Sequence, residues 1–180
     1  MKRTSGIEDT FRGKWIGYAN PLTEEQKEYI EKLKAVINRK TWCLVVSGTY
    51  GNGKTYLAKI AVNTFNDDGY RGGYYTTQAL IQSELRSDTR ENTFKRLCGY
   101  PLLVIDEMSA RPTDWTEFIK TTIESILIER HAQGLLTILI GNVRLEEFVQ
   151  MFDVRVRDRL KEGLVMVMNG PSLRKAIGEK

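Results

Sequence analysis

The eight residues from Gly48 to Thr55 read Gly-Thr-Tyr-Gly-Asn-Gly-Lys-Thr and fit the pattern G-x-x-x-x-G-K-[ST] at every fixed position. Glycines at these positions let the backbone turn so that successive N–H groups point at a phosphate, which Lys54 also reaches, while the Thr55 hydroxyl binds Mg²⁺. The apolar residues 42–47 predict a buried strand, and residues 55–65 predict a helix whose N-terminus adds partial positive charge. This context favours a phosphate-binding loop (P-loop) over a glycine-rich turn that binds nothing. The predicted contacts to the nucleotide are Gly48, Thr49, Tyr50, Gly51, Asn52, Gly53, Lys54, Thr55 and Tyr56.

Length and composition are those of one globular domain. The chain has 180 residues, 41% of them hydrophobic, and a net charge of +4 that permits nucleic-acid binding without showing it. No apolar run approaches the roughly 18 residues of a membrane span, and the basic start lacks the apolar stretch of a secretory signal. Cys43 and Cys98 have no metal-type spacing. We therefore predict a cytoplasmic protein that does not enter a membrane.

Strand and helix patterns alternate along the chain. Apolar runs predict strands at 42–47, 72–76, 102–106, 135–141 and 164–168. Between and before them lie helical patterns at 23–39, 55–65, 77–86, 93–98, 114–133, 144–152 and 153–161. Thr23 with Gln26 forms a capping box for the first of these helices. The alternation predicts an α/β fold with a five-stranded parallel sheet between two layers of helices.

A second chemical signal is the strand at 102–106, which ends in the two carboxylates Asp106 and Glu107. Acids often end strands by chance, but this pair lies about 50 residues after Lys54, at the sheet edge that carries the P-loop. Asp106 would hold Mg²⁺ through water, and Glu107 would orient and deprotonate an attacking water. The pair indicates an ATP hydrolase, because a small-molecule kinase has no clear use for Glu107.

Two weaker signals follow. Asn142 comes directly after the fourth strand and could position the water or contact the γ-phosphate, although Gly141-Asn142 by itself is more typical of a turn. Arg155, Arg157 and Arg159 alternate and cannot share one helix face. They indicate either a solvated basic helix or an arginine presented to the ATP of a neighbouring subunit.

Together these motifs resemble the AAA+ ATPases, a group of P-loop NTPases of the ASCE type, and most of all the DnaC-type replicative helicase loaders with the IstB-type transposition helpers. Asp106-Glu107 is similar to Walker B and Gly141-Asn142 to sensor 1. Residues 153–160 resemble the arginine-finger box, which places Arg155 at the finger and Arg159 at a second inter-subunit position. Residues 170–174 match the closing sensor 2 and assign Arg174 to the nucleotide.

The sequence departs from that group in three respects. Only residues 1–40 precede the core at 41–180, so we expect the first segment to include a leading helix and to serve in partner docking. Gly141 replaces the usual threonine or serine, and the helical lid is expected to be nearly absent. By analogy, so compact a loader would suit a phage or prophage.

The resemblance implies an ATP- and Mg²⁺-dependent ATPase, weak as a monomer, that self-associates through its ATP site. It further implies two partners, a replicative hexameric helicase and single-stranded DNA. Alternatives are a transposition helper that acts with a transposase and a non-catalytic adaptor that uses ATP only as a ligand. Basic residues after the second strand are the candidate DNA contacts, namely Arg86, Arg90, Lys95 and Arg96.

Overall fold

Five parallel strands form the central sheet in the spatial order β2-β3-β4-β1-β5. The structure is a computed structural model that describes residues 16–84, 90–108 and 117–173. The strands are β1 (Cys43–Gly48), β2 (Gly72–Thr76), β3 (Leu102–Met108), β4 (Leu136–Gly141) and β5 (Leu164–Met168). All four pairings between neighbours are parallel, as predicted.

Helices cover both faces of this sheet. After a short 3₁₀ turn at Ile16–Tyr18, the described helices are α1 (Glu24–Ile37), α2 (Lys54–Asp67), α3 (Thr77–Glu84), α4 (Arg90–Cys98), α5 (Glu117–Ala132), α6 (Leu145–Gln150) and α7 (Val154–Leu160). On one face α1 and α2 contribute Leu33 and Phe65 to the core. On the other face α5 and α6 contribute Leu127 and Phe148. The predicted three-layer α/β architecture is confirmed.

Strand order places the functional loops together. β4 lies between β1 and β3, because Leu139 pairs with Val45 on one side and Ile105 on the other. The carboxyl ends of β1, β3 and β4 therefore meet at one edge of the sheet, where parallel α/β folds bind ligands.

Local sequence signals set the helix starts. The Thr23 hydroxyl accepts a hydrogen bond from the backbone N–H of Gln26 at 3.1 Å and caps α1, as predicted. In an ordinary capping box, the Gln26 side chain would accept a hydrogen bond from the backbone N–H of Thr23. Here the Gln26 Oε1 atom accepts from the N–H of Leu22 instead, at 2.7 Å. Asp153 caps α7 by accepting from the N–H of Val156 at 2.9 Å.

Element boundaries shift by one to three residues from the prediction. β3 continues beyond Asp106 to Met108 and β1 continues to Gly48. The first described residue of α4 is Arg90 rather than 93, and an ion pair between Glu91 and Lys95 lies on its exposed face. The predicted helix start at 114–116 lies outside the described residues. No helix in the described part of the chain is long and apolar enough to cross a membrane.

Arg130 joins the second helical layer to the sheet. Its side chain is fully buried. The Nε atom donates to Thr137 Oγ1 at 3.0 Å, and Nη1 donates to the carbonyls of Leu97 and Tyr100, each at 2.7 Å. Burial lowers the pKa of Arg130 to about 10, so the guanidinium stays charged at neutral pH. Arg130, in the last turn of α5, therefore has a structural role.

Replacing Arg130 with methionine is expected to lower the free energy of unfolding by about 3–5 kcal/mol, since it leaves buried carbonyls without donors. Urea denaturation followed by circular dichroism measures this loss. Arg71→Met is the matched control, because Arg71 also donates to a backbone carbonyl, that of Gly99, but is exposed. Equal losses in the two variants would contradict the assigned role.

Candidate nucleotide-binding site

The P-loop joins β1 to α2 in a conformation that requires glycine. Gly48, Gly51 and Gly53 have φ angles of 129°, 82° and 93°, in the region that side chains disfavour. A Cβ atom on Gly48 would lie 2.0 Å from the carbonyl oxygen of Met168. The close approach of β5 to the loop therefore excludes a side chain at this position.

Lys54 is the first residue of α2 and is only 4% exposed. Its ammonium group donates to the carbonyl of Gly48 at 3.2 Å, to the carbonyl of Thr49, and to Asn52 Oδ1 at 3.1 Å. The charge is thus held inside the loop, beside the backbone that would surround a phosphate.

Thr55 and Asp106 are in direct contact. The Thr55 hydroxyl donates to Asp106 Oδ2 at 2.7 Å, and the carboxylate is 1% exposed. Hydroxyl and carboxylate oxygens are the ligands that Mg²⁺ prefers, so the two residues fit that cation. Among the described residues no group of three His, Cys, Asp or Glu could hold a metal alone. A cation here would depend on phosphate oxygens for its remaining ligands.

A bulge in β3 sets the direction of the Glu107 side chain. The pairing of β3 with β4 shifts register between Ile105 and Met108, and Glu107 has a φ angle of 60°, which is strained for a side-chain-bearing residue. Its side chain is exposed and lines the cleft described next, whereas Asp106 is buried. Two consecutive acids therefore face different environments.

A cleft of about 660 Å³ opens beside the P-loop. Seven of the nine predicted nucleotide contacts line it, namely Tyr50, Gly51, Asn52, Gly53, Lys54, Thr55 and Tyr56. Glu107 and Asn142 also line it, so the strand ends bring the predicted acid and amide to one site. Gly48 and Thr49 line an adjoining pocket of about 280 Å³, which Tyr50 and Asn142 share.

Gly141 precedes Asn142 for a steric reason. A Cβ atom at Gly141 would lie 2.6 Å from the Phe148 ring and 2.9 Å from the Met108 carbonyl oxygen. The threonine or serine that we expected from the resemblance would meet these atoms. The substitution therefore matches the packing of α6 against the end of β4.

Two segments hold the P-loop from outside through contacts that the sequence did not predict. Gln26 is buried, and its Nε2 atom donates to the Asn52 carbonyl at 3.0 Å. The chain after β5 also contacts the loop, since the N–H of Leu173 donates to the Gly51 carbonyl at 3.0 Å and the Thr49 hydroxyl donates to the Gly170 carbonyl at 3.0 Å. The capping pattern revealed the Gln26 position, but only tertiary packing shows that it contacts the loop.

Glu25 connects these two outer segments. Its carboxylate accepts from the backbone N–H of Gly170 at 3.0 Å and of Asn169 at 3.3 Å. Leu22, which precedes α1, and Leu173, which follows β5, both line the cleft. Hydrogen bonds therefore connect three segments: the start of α1, the P-loop and residues 169–173. Arg174, the predicted sensor-2 residue, lies outside the described residues.

Removing the Gln26 side chain is expected to weaken ATP-analogue binding about tenfold, because the P-loop loses a buried hydrogen bond worth roughly 1–3 kcal/mol. Fluorescence titration of Gln26→Ala measures the change. Lys27→Ala on the exposed face of α1 is the control and should bind as the parent does. Unchanged binding in Gln26→Ala would show that the loop holds its shape without this bond.

Two buried tyrosines complete the site. The Tyr29 hydroxyl donates to the Lys54 carbonyl at 3.3 Å, and the Tyr74 hydroxyl donates to Asp106 Oδ2 at 2.7 Å. Burial, and to a lesser extent the Asp106 charge, raises the pKa of both above the ordinary tyrosine value. Both hydroxyls therefore keep their protons and act as donors. Neither role was predictable from the sequence.

The three arginines of α7 lie away from this cleft. The Arg155 side chain is 68% exposed, and its Nη2 atom pairs with Asp153 Oδ2 at 2.7 Å. Arg159 Nη1 donates to the Arg155 carbonyl at 2.8 Å, and Arg157 is partly buried. In the described part of the chain none of them lines the cleft, and Arg155 is the most accessible to another molecule.

The candidate DNA contacts are only partly described. Lys95 and Arg96 are exposed on α4, where Lys95 pairs with Glu91 and the Arg96 guanidinium lies 5.8 Å from the centre of the Tyr75 ring. Arg86 lies outside the described residues, and of Arg90 only the backbone is described. The ion pair between Lys95 and Glu91 neutralises part of the positive charge that the sequence predicted for DNA binding.

The sequence matches no protein-family model and no curated protein. The structure is similar to the crystal structure of DnaI, with a TM-score of 0.76, 16% identity and 96% of each chain covered. It is also similar to the DnaC helicase loader, with a TM-score of 0.74 and 18% identity over 90% of this chain and 100% of that one.

A third similar structure is DnaA from Aquifex aeolicus bound to AMPPCP, with a TM-score of 0.74 and 18% identity. The alignment covers 86% of this chain and 50% of that one, so the chain spans about half of DnaA. The resemblance to the DnaC-type AAA+ group is thus confirmed in the fold. The chain has the fold of these three solved structures.

Proposed function

We propose that the chain is a Mg²⁺-dependent ATPase that loads or remodels a replicative hexameric helicase on single-stranded DNA in the cytoplasm. One observation carries the catalytic part: the Thr55–Asp106 hydrogen bond lies beside Glu107 and Asn142 at the mouth of a P-loop. Strained backbone positions are typical of functional sites, and the exposed acid Glu107 lies on such a strained bulge. Binding of a nucleotide alone would not require this acid.

The roles of the residues follow from their positions. The P-loop N–H groups and Lys54 bind the phosphates, for which Lys54 exchanges its carbonyl contacts for phosphate oxygens. Thr55 and Asp106 would hold Mg²⁺, which would supply positive charge to stabilise the transferring phosphoryl group. Glu107 deprotonates the attacking water, and Asn142 orients it.

Self-association supplies the remaining charge in this proposal. Arg155 is exposed and lies away from its own cleft, so it is available to the ATP of a second copy. In the assembly, Arg155 would leave its ion pair with Asp153 and bind the γ-phosphate of the ATP in the second copy. A monomer lacks this contact and would therefore hydrolyse ATP slowly. Arg159, whose guanidinium bonds to the Arg155 carbonyl, supports the same segment.

The partner class rests on the fold and on the basic surface. The similar structures include a DnaC helicase loader and DnaA, a replication initiator also solved with single-stranded DNA. Residues 1–40 are proposed as the docking segment and 41–180 as the ATPase core. Lys95 and Arg96 are the described candidates for phosphate contacts, whose binding would weaken with added salt.

Size-exclusion chromatography with light scattering tests the partner directly. The chain is mixed with a replicative hexameric helicase with and without ATP, and we expect a complex whose amount depends on ATP. Deleting residues 1–15 of the docking segment, which keeps α1 and the contact of Gln26 with the P-loop, should remove it while leaving ATP binding intact. No complex under any nucleotide, together with capture of a transposase, would replace the loader with the transposition helper.

A further inference from the structure

Tyr74 lies on β2, one strand away from the acids of β3. It is buried, and its neighbours in the sheet place it beside Asp106, since Thr76 of β2 pairs with Asp106 itself. The Tyr74 hydroxyl donates to Asp106 Oδ2 at 2.7 Å. That oxygen also accepts a hydrogen bond from the Thr55 hydroxyl at 2.7 Å. One carboxylate oxygen thus receives two hydroxyl donors from two different elements.

The other carboxylate oxygen is also held. Asp106 Oδ1 accepts from the backbone N–H of Glu107 at 2.6 Å. Three donors therefore fix the rotation of a buried carboxylate, which needs such partners to remain charged away from water. Because the Thr55 hydroxyl donates its hydrogen bond to Asp106, the lone pairs of that hydroxyl are directed away from Asp106.

The ring of Tyr74 is held independently of its hydroxyl. Its apolar atoms belong to the core with Val104 and Leu102, and the Lys59 ammonium lies 5.0 Å from the ring centre. Tyr74 is not among the described residues that line the cleft. Its oxygen can therefore act on a ligand only through Asp106.

We propose that Tyr74 is a positioning residue for the divalent cation of this site. Its hydroxyl fixes the Asp106 carboxylate in the orientation that accepts the hydrogen bond from the Thr55 hydroxyl. That hydrogen bond in turn directs the lone pairs of the Thr55 oxygen to the cation. This inference rests on the proposed Mg²⁺-dependent ATPase. It assigns to a buried residue of β2 a part in metal binding for which the strand pattern gives no signal.

The test measures metal binding without turnover. Protein saturated with AMPPCP is titrated with Mn²⁺ by electron paramagnetic resonance, and AMPPCP affinity is measured separately in EDTA. Tyr74→Phe removes only the hydroxyl and is expected to weaken Mn²⁺ about tenfold while AMPPCP binding in EDTA stays within about twofold. Tyr75→Phe is the matched control, because that hydroxyl bonds to the Tyr100 hydroxyl at 3.1 Å instead.

A double-mutant cycle separates positioning from general packing. In an Asp106→Asn background, Tyr74→Phe should weaken Mn²⁺ no further, since the acceptor it orients has lost its charge. A loss that persists in that background, unchanged Mn²⁺ affinity in Tyr74→Phe, or a variant that melts below the assay temperature would each overturn the proposal. Failure of the parent protein to bind AMPPCP would instead remove the proposed function.

Discussion

Replacing Glu107 with glutamine is expected to slow ATP hydrolysis at least 100-fold, because general-base catalysis typically contributes about 10²–10⁴-fold. Glutamine keeps the size of the side chain and the bulge but cannot accept the proton of the attacking water. The cleft is otherwise unchanged, so the affinity for ATP should stay within about twofold of the parent value. Phosphate release under saturating ATP and helicase measures the rate, and fluorescent-nucleotide titration measures the affinity.

Glu28→Gln is the control for this experiment. Glu28 is exposed on α1 and pairs with Lys32, so the same chemical change there should leave hydrolysis intact. Hydrolysis at the parent rate in Glu107→Gln would show that Glu107 is not the base. Full helicase-loading activity in a hydrolysis-deficient Glu107→Gln would favour the non-catalytic adaptor, which uses ATP only to shape a surface.

Replacing Lys54 with alanine is expected to weaken ATP binding about 100-fold and to abolish ATP-dependent assembly. A charged donor to phosphate oxygens is among the stronger hydrogen-bonding partners in proteins. The ammonium is also buried against the Gly48 and Thr49 carbonyls, so its removal loosens the loop in addition to removing a phosphate contact. Nucleotide titration measures the affinity, and light scattering with helicase measures the assembly.

The exposed Lys40 provides the control for charge, since Lys40→Ala removes one positive charge outside the cleft. A melting curve of Lys54→Ala separates loss of binding from loss of fold. Full ATP-dependent assembly in Lys54→Ala would contradict a mechanism in which the nucleotide joins the subunits.

Much of the architecture was predictable, because each part of it is encoded locally. The apolar residues of β1 and β4 are buried along their whole length, which is why an uninterrupted run marked each as a central strand. The cap at Thr23 is equally local, since it depends on residues within one turn. The end of β3 was less predictable, because its pairing with β4 continues to Met108 across a register shift.

The site was predictable to a smaller extent. Lys54, Thr55, Asp106 and Glu107 belong to motifs whose spacing implies their chemistry, and the fold brings them together. The different burial of the two acids was not predictable, because it depends on a register shift that buries Asp106 and exposes Glu107. The need for Gly141 likewise arises from the Phe148 ring, seven residues further along the chain and on another element.

By itself the sequence determined the P-loop, the strand–helix alternation and the acidic pair, because those depend on the conformation and chemistry of neighbouring residues. Only the tertiary structure decided that Gln26 and residues 169–173 hold the loop, that Tyr74 reaches Asp106 and that Arg155 lies away from the cleft. These contacts join residues that are distant in the chain. They exist because the sheet order brings β1, β3, β4 and β5 to one edge, and strand order is a property of the packed core.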